Sequence, residues 1–219
     1  MYKVILDDEY FIGVDKLSPV PCIRQGDSAG LSDELVLEYP ALSSIKDFGF
    51  THRLDNETLG VLLIAKTQKY YDGIRELFEN KLVEKTYLAR VNGVVKDTSG
   101  VVDTPIAHSD KTAKKMLAVK PGYRSFRGAP REALTEWRVV KTNADTTDLA
   151  LTTSTGVRHQ IRIHMASIGF PICGDRLYNK NNSTCPSLML MAKSISFKCP
   201  VREKQFELVS SLSLEEMFL

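Results

Sequence analysis

The chain has 219 residues, 43% of them hydrophobic, which is enough for a packed core in one sizeable domain or two small ones. Its 29 basic and 27 acidic side chains nearly cancel, so the formal charge of +2 supplies no global field for a polyanion, and a nucleic-acid surface has to come from local clustering. The four cysteines (Cys22, Cys173, Cys185, Cys199) form no C-x-x-C pair, which argues against a disulfide-dense secreted scaffold; with neither a leader pattern nor a spanning apolar run, a cytoplasmic protein without membrane contact is expected.

In chain order, the polar stretch THRLDNETLG (Thr51 to Gly60) runs directly into the strand candidate LGVLLIAK (Leu59 to Lys66). The segment TQKYYDGIRELFENKLV follows, with Tyr70, Ile74, Leu77, Phe78 and Leu82 at helical spacing, and predicts an amphipathic helix packed on a sheet. Further strand candidates are Lys85 to Gly93, Lys114 to Lys120, Leu134 to Lys141, Thr147 to Thr153 and SISFKC near the C-terminus. The runs GYRSFRGAP (Gly122 to Pro130) and NKNNST (Asn179 to Thr184) read as exposed loops. A second helix covers RHQIRIHMASI, with Ile161, Met165 and Ile168 on one stripe, Gly169 placed as a terminator and Pro171 blocking continuation. Short strands in irregular alternation with two clear helices predict an α+β fold, a mixed and mostly antiparallel β-sheet core with flanking helices, over a single domain 1–219.

Two segments could carry chemistry. In THRLDNETLG a carboxylate, Asp55, lies at the mouth of a strand; it either bonds its own turn or serves a site, and spacing alone does not separate these roles. Around the second helix, Arg158, His159, Arg162 and His164 crowd the first turns, where the helix dipole disfavours cations unless an anion is near; the readings are an anionic partner or a solvated polar face. His159 and His164 are five apart and lack a companion cysteine, so no metal is expected. No G-x-x-x-x-G-K, G-x-G-x-x-G or G-x-S-x-G pattern supports nucleotide-cofactor or serine-hydrolase chemistry, and no cofactor is expected.

HRLDNETLGVLLIAK, then EKTYLARVNG, then RHQIRIHMASIGFPICGDRLY resemble, in content, order and spacing, the RluA family of RNA pseudouridine synthases, from about Asp15 to Pro200. The resemblance implies the pseudouridine synthase catalytic fold and conversion of a uridine in structured RNA, transfer or ribosomal, by a monomer. It implies that Asp55 is the nucleophile; a free aspartic acid is ionised at neutral pH without assistance. It further implies that Arg162 pairs with Asp55 through two hydrogen bonds and keeps it ionised and aimed, that Tyr87 stacks on the target base, and that Arg53 helps to extrude the nucleotide. His52, beside it in the loop, and Lys16, Arg158, His159 and Lys193 are expected on the RNA-binding side of the site, His52 also shaping the loop.

The chain departs from the family pattern at four places: Thr58, Leu59, Gly60 for threonine, serine, glycine; Gly156, Val157, Arg158 before HQ; DKLSPVPC in the first motif; and Leu190, Met191, Ala192 for leucine, histidine, alanine. None of these removes Asp55, Tyr87 or Arg162. They imply a divergent branch, and they motivate the alternative of a catalytically inactive RNA-binding protein of the same fold. No room is expected before Asp15 for a separate RNA-binding domain.

Overall fold

Lys16 and Gly60 face each other across an antiparallel pair of strands, and that pairing sets the first candidate segment against the end of a buried strand. The computed structural model describes residues 1–17, 19–180, 185–200 and 202–213. Its elements are β1 (Tyr2–Asp7), β2 (Phe11–Lys16), α1 (Leu31–Glu38), 3-10 turns at Pro40–Ser44 and Lys46–Gly49, β3 (Leu59–Ala65), α2 (Gln68–Glu79), β4 (Glu84–Asn92) and β5 (Ser99–Val102). There follow β6 (Ile106–Ser109), β7 (Met116–Ala118), β8 (Phe126–Arg131), β9 (Thr135–Thr142), β10 (Thr146–Thr153), α3 (Gln160–Ser167), β11 (Leu190–Lys198) and β12 (Gln205–Val209). Within the stretch read as one domain, the described residues gather into two compact units, Met1–Lys85 with 191–213, and Thr86–Leu190.

In the first unit β1, β2 and β3 form an antiparallel meander, β11 lies parallel to β3, and β12 pairs antiparallel with β11, so the sheet is mixed. Every residue of β2 is buried and β3 is buried from Gly60 onward, which identifies them as central strands. The parallel contact is tight: Gly60 has φ +105° and a Cβ built on it would lie 2.1 Å from the carbonyl oxygen of Ala192. Only glycine fits there. The Thr67 side chain caps α2 by accepting from the Tyr70 N–H, and Tyr71 and Ile74 are its buried residues.

The second unit has two sheets, β4-β10-β9-β5 and the three-stranded β7-β6-β8. Ile106, Met116, Ala133, Val157 and Ile163 share a core that joins the small sheet to α3, with Ala118 and Tyr178 packed against it. The helix ends as its sequence predicts, with Gly169 at φ +90°.

Three local expectations change. The strand read over Lys114 to Lys120 contracts to Met116–Ala118, because Lys114 and Lys115 belong to a turn closed on Thr112. The loop read over Gly122 to Pro130 contains the start of β8. Pro130 is tolerated there because β8 is an edge strand, and Gly128, at φ +72°, sits where the β6 to β8 register slips. Most of the run Asn179 to Thr184 lies outside the described residues; Asn179 itself is buried and donates to the Ile172 carbonyl.

Candidate active site

The first unit holds the Asp55 loop, and β3 fixes where it starts. The Thr51 hydroxyl and N–H both donate to the Leu63 carbonyl, at 2.8 and 3.2 Å, and the Leu63 N–H donates to His52 Nε2 at 3.2 Å. His52 lies against the Phe78 ring, 5.4 Å between centroids. Burial, helped by the cations of Lys85 and Arg75, pushes its pKa down to about 3, so the ring is a neutral acceptor at physiological pH. Leu54 is buried, with its N–H and carbonyl both on the Cys22 thiol, at 3.4 and 3.6 Å. Arg53 between them is exposed, and Asp55 is half-buried.

A turn follows, closed by the Thr58 N–H on the Asp55 carbonyl at 3.0 Å. Lys16 holds it from beneath: its ammonium donates to the Asn56 carbonyl at 2.8 Å and to the Val20 carbonyl at 3.1 Å. Lys16 is fully buried, and burial pushes its pKa down to about 8 against the opposing attraction of Cys22 and Asp55. Expected as an RNA contact, Lys16 thus presents no surface to a phosphate. It clamps the Asp55 turn and places a positive charge within electrostatic reach of that carboxylate.

The second unit holds Tyr87 and Arg162. Tyr87 is a half-buried residue of β4. Arg162, on α3, forms a planar fork with Asp175, Nε to Oδ2 at 2.8 Å and Nη2 to Oδ1 at 2.9 Å, with side-chain exposures of 3% and 0%. Asp175 Oδ1 also accepts from the Leu177 and Tyr178 N–H groups, at 2.8 and 3.1 Å. Burial alone would push the Asp175 carboxyl up, but the Arg162 bonds and charge and the two backbone donors hold it below the usual carboxylate range. The guanidinium carbon also lies 5.5 Å from the Tyr178 ring centroid. The fork occupies two of the five guanidinium donors and fixes the plane of the rest.

The helix itself is seated by Gln160, whose amide nitrogen donates to Leu134 O, Thr135 Oγ1 and Thr153 Oγ1 and whose amide oxygen accepts from the Val157 N–H. His164 is buried with Nε2 on the Thr104 carbonyl and Nδ1 on the Thr135 hydroxyl, both 2.9 Å. Since a carbonyl only accepts, Nε2 carries the proton and Nδ1 accepts. Burial pushes its pKa down, and the ring is neutral.

The crowd of basic residues expected in the first turns of this helix is therefore dispersed. Arg158 and His159 precede α3, with His159 in the left-handed region at φ +57°. His159 is 9% exposed and its Nδ1 contacts the Tyr178 hydroxyl at 2.8 Å. Arg158 is exposed and donates to the Ala113 carbonyl at 3.3 Å. Lys193, in the first unit, is partly buried and donates to the carbonyls of Ser210 and Leu212, at 2.8 and 3.0 Å. Of the expected RNA contacts, Arg53 and Arg158 are the ones the structure leaves exposed. Asp175 and Tyr178 carry structure that the sequence reading did not assign; the signal was the GDRLY run, where an aspartate can cap the two N–H groups that follow. Among the described residues no cluster of His, Cys, Asp and Glu could hold a metal ion, and no helix is long and apolar enough to cross a membrane.

A sequence profile of the RNA pseudouridylate synthase family matches residues 10–167. The chain is 34% identical over 195 residues to an "Uncharacterized RNA pseudouridine synthase" of Aquifex aeolicus (strain VF5), a match covering 86% of this chain and 59% of that protein. It is 33% identical over 184 residues to the "Ribosomal large subunit pseudouridine synthase D" of Nitrosomonas europaea, covering 82% of this chain and 50% of that one. A "Dual-specificity RNA pseudouridine synthase RluA" of Vibrio vulnificus is 31% identical over 208 residues, 90% and 78% of the two chains. The chain thus spans about half to four fifths of the length of these relatives. The solved structure of "Human RNA Pseudouridylate Synthase Domain Containing 1" superposes with a TM-score of 0.80 at 21% identity, over 95% of this chain and 82% of that one, a likeness of fold.

Proposed function

Because this chain belongs to the RNA pseudouridylate synthase family, in its RluA branch, we propose that it isomerises a specific uridine of structured RNA, transfer or ribosomal, to pseudouridine, with Asp55 as the nucleophile. It does so in the cytoplasm, as a monomer. The observation that carries this reading is the build of the Asp55 turn: a half-buried carboxylate on a loop pinned to Leu63 at one end and to the buried Lys16 ammonium at the other. A turn-forming aspartate alone needs no buried cation beneath it.

The bond between uracil N1 and ribose C1′ breaks as the Asp55 carboxylate either bonds to C1′ or removes a ribose proton to leave a glycal. The detached uracil turns and its C5 bonds to C1′ as the bond between Asp55 and C1′ breaks or, on the glycal route, as the ribose proton is returned by Asp55; C5 then gives up its proton, and N1 gains one. Substrate and product are isomers, so the reaction consumes no co-reactant. Tyr87 and Arg162 complete the catalytic set, the ring for the base and the guanidinium for charge, and Arg53, exposed beside Asp55, serves nucleotide extrusion. A relative named for the ribosomal large subunit supports a ribosomal substrate.

Loss of the C5 proton gives a direct assay, release of tritium from RNA labelled at uridine C5. Asp55→Asn should abolish release while leaving the melting curve and RNA affinity unchanged. Retained release sinks the nucleophile assignment, free uracil in place of pseudouridine points to hydrolysis, and RNA binding without release by the parent chain selects the inactive RNA-binding alternative.

A further inference from the structure

The formal charge of the chain is +2, yet its basic residues are not evenly spread. The segment Ile106 to Arg131, which makes the small sheet β7-β6-β8 and its connections, holds seven of the 29 basic side chains and one of the 27 acids. All seven are exposed. Lys111, Lys114 and Lys115 lie between β6 and β7, Lys120 and Arg124 between β7 and β8, and Arg127 and Arg131 on β8. Elsewhere in the chain acids outnumber bases, so this is a concentration of charge and not a sample of the average.

The topology spreads these cations along the sheet. β7 and β8 both run antiparallel to β6 and hence parallel to each other, so the connection through Lys120 and Arg124 travels the length of the sheet. Arg131 pairs with Ile106 at one end and Phe126 with Ser109 at the other. Four residues of β6 cover about 10 Å at roughly 3.4 Å per residue, the reach of about three phosphates of one strand. The one acid, Asp110, is engaged by the Ser125 hydroxyl, which ties the two turns together at that end. Arg127 Nε donates to the Ser109 carbonyl at 2.9 Å, and Arg158 adds an eighth cation through its bond to Ala113.

Beside the cations lies an open concavity of about 560 Å³ whose lining includes Lys120, Tyr123, Arg124 and Phe126 and, from the strand connection before β6, Thr104 and the acid Asp103. Tyr123 is 44% exposed, an uncommon position for a ring that has no core to fill. Its volume suits a nucleotide-sized ligand, and an exposed aromatic next to cations is the arrangement that stacks an unpaired base while its backbone is held. None of the residues assigned to chemistry lines it.

We infer that the β7-β6-β8 sheet is an RNA-docking surface, in which the cations hold the backbone flanking the target uridine and Tyr123 stacks an unpaired base. The inference rests on the proposed RNA modification and adds the place where the substrate is gripped. The shared core of this sheet with α3 makes it a rigid grip, since Ile106 and Met116 pack with Ile163, one residue after Arg162.

The test uses unmodified transfer RNA and large-subunit ribosomal RNA transcripts, each labelled at uridine C5, and two triple variants of the full chain. Lys114→Gln, Lys115→Gln and Arg124→Gln remove three charges from the sheet; Lys69→Gln, Lys141→Gln and Lys198→Gln remove three exposed charges elsewhere. The sheet triple should bind at least tenfold more weakly at low salt, flatten the slope of log affinity against log salt by about 2, and keep its saturating tritium-release rate within twofold. The other triple should change affinity less than twofold. Tyr123→Ala should weaken binding about tenfold with the salt slope unchanged. Equal weakening by both triples, or an unaltered sheet triple, overturns the docking surface while leaving the synthase reading intact. A parent chain that binds no RNA overturns the synthase reading itself.

Discussion

The fully buried ammonium of Lys16 donates to the backbone carbonyl of Asn56, the residue that follows Asp55. A buried lysine is costly unless its hydrogens find acceptors, and here two carbonyls from two loop segments supply them. Lys16→Met should therefore loosen the Asp55 turn. Each carbonyl left without a donor costs about 1–3 kcal/mol, so the melting temperature should fall by several degrees. The saturating rate should drop at least tenfold while RNA affinity holds, because no part of Lys16 reaches the surface. Weaker RNA binding at an unchanged rate would instead make Lys16 a phosphate contact.

The same lysine predicts opposite pH trends for rate and stability. With its pKa pushed to about 8 by burial, Lys16 loses its charge above that pH, and the cation near Asp55 goes with it. The saturating rate should fall with an apparent pKa near 8, and that limb should be absent in Lys16→Met. Stability should rise over the same range. The folded protein releases the proton near 8 and the unfolded chain only near 10.5, so the unfolded state binds more protons between those values. Lys85, also pushed to about 8 by burial, adds to the stability slope with the same sign, so the rate profile is the measurement that isolates Lys16.

On the acid side His52 dominates. Its folded pKa of about 3 lies below the ordinary 6.5, so the unfolded chain takes up a proton first as pH falls. Stability is complete above pH 6.5 and is lost progressively toward pH 3, by an amount on the order of a few kcal/mol. His52→Gln keeps an acceptor for the Leu63 N–H and should flatten that part of the curve. Urea melts at a series of pH values for parent and variant decide it; a parallel loss in both would assign the acid limb to other groups.

What the sequence disclosed follows from which physics is local. Two of the three α-helices described were legible, because Tyr70, Ile74, Leu77 and Phe78, or Ile161 and Met165, repeat at the helical period, and Gly169 terminates one of them as a left-handed residue; α1 carries no such stripe and was not read. β2 was not legible, because Asp15 and Lys16 place two charges in a strand whose every residue is buried, and their partners include Ser211 and Asn56 from loops far along the chain. The Asp55 loop was located by its motif, but its anchors (Lys16, Cys22 and Leu63) lie up to 39 residues away and leave no periodic trace. Likewise the crowding of Arg158, His159, Arg162 and His164 suggested one anionic site. The backbone reversal at His159 and the burial of His164 separate them, a difference of dihedral angle and packing that composition does not carry.

Gly60 is a second place where a motif residue has a purely geometric duty. Gly60→Ala would set a methyl 2.1 Å from the Ala192 carbonyl oxygen at a φ of +105°. The clash is with backbone and has to be relieved by moving it, so the variant should lose more than about 3 kcal/mol and recover poorly from refolding. Full stability in Gly60→Ala would mean that the parallel pairing of β3 and β11 shifts without cost.

The fork between Arg162 and Asp175 separates positioning from chemistry. Asp175→Asn keeps the shape of the side chain but removes the negative charge from the fork, a loss of about 3–5 kcal/mol for pairs of this kind. Arg162→Lys keeps the charge but lacks the plane that matches the two carboxylate oxygens, and should lose a comparable part of that stability. The pair also carries its own pH signature. Because the Asp175 carboxyl is held below its ordinary 3.8, its contribution is present above that value and is lost as pH falls through the folded pKa. The stability gap between the parent and Asp175→Asn, wide at pH 7, should therefore narrow toward pH 3. On the proposed role of Arg162 at the reacting charge, Asp175→Asn should lower the saturating rate of tritium release at pH 7 at least tenfold with little effect on half-saturation. A variant that loses stability yet keeps its rate would show that Asp175 seats α3 without aiming Arg162.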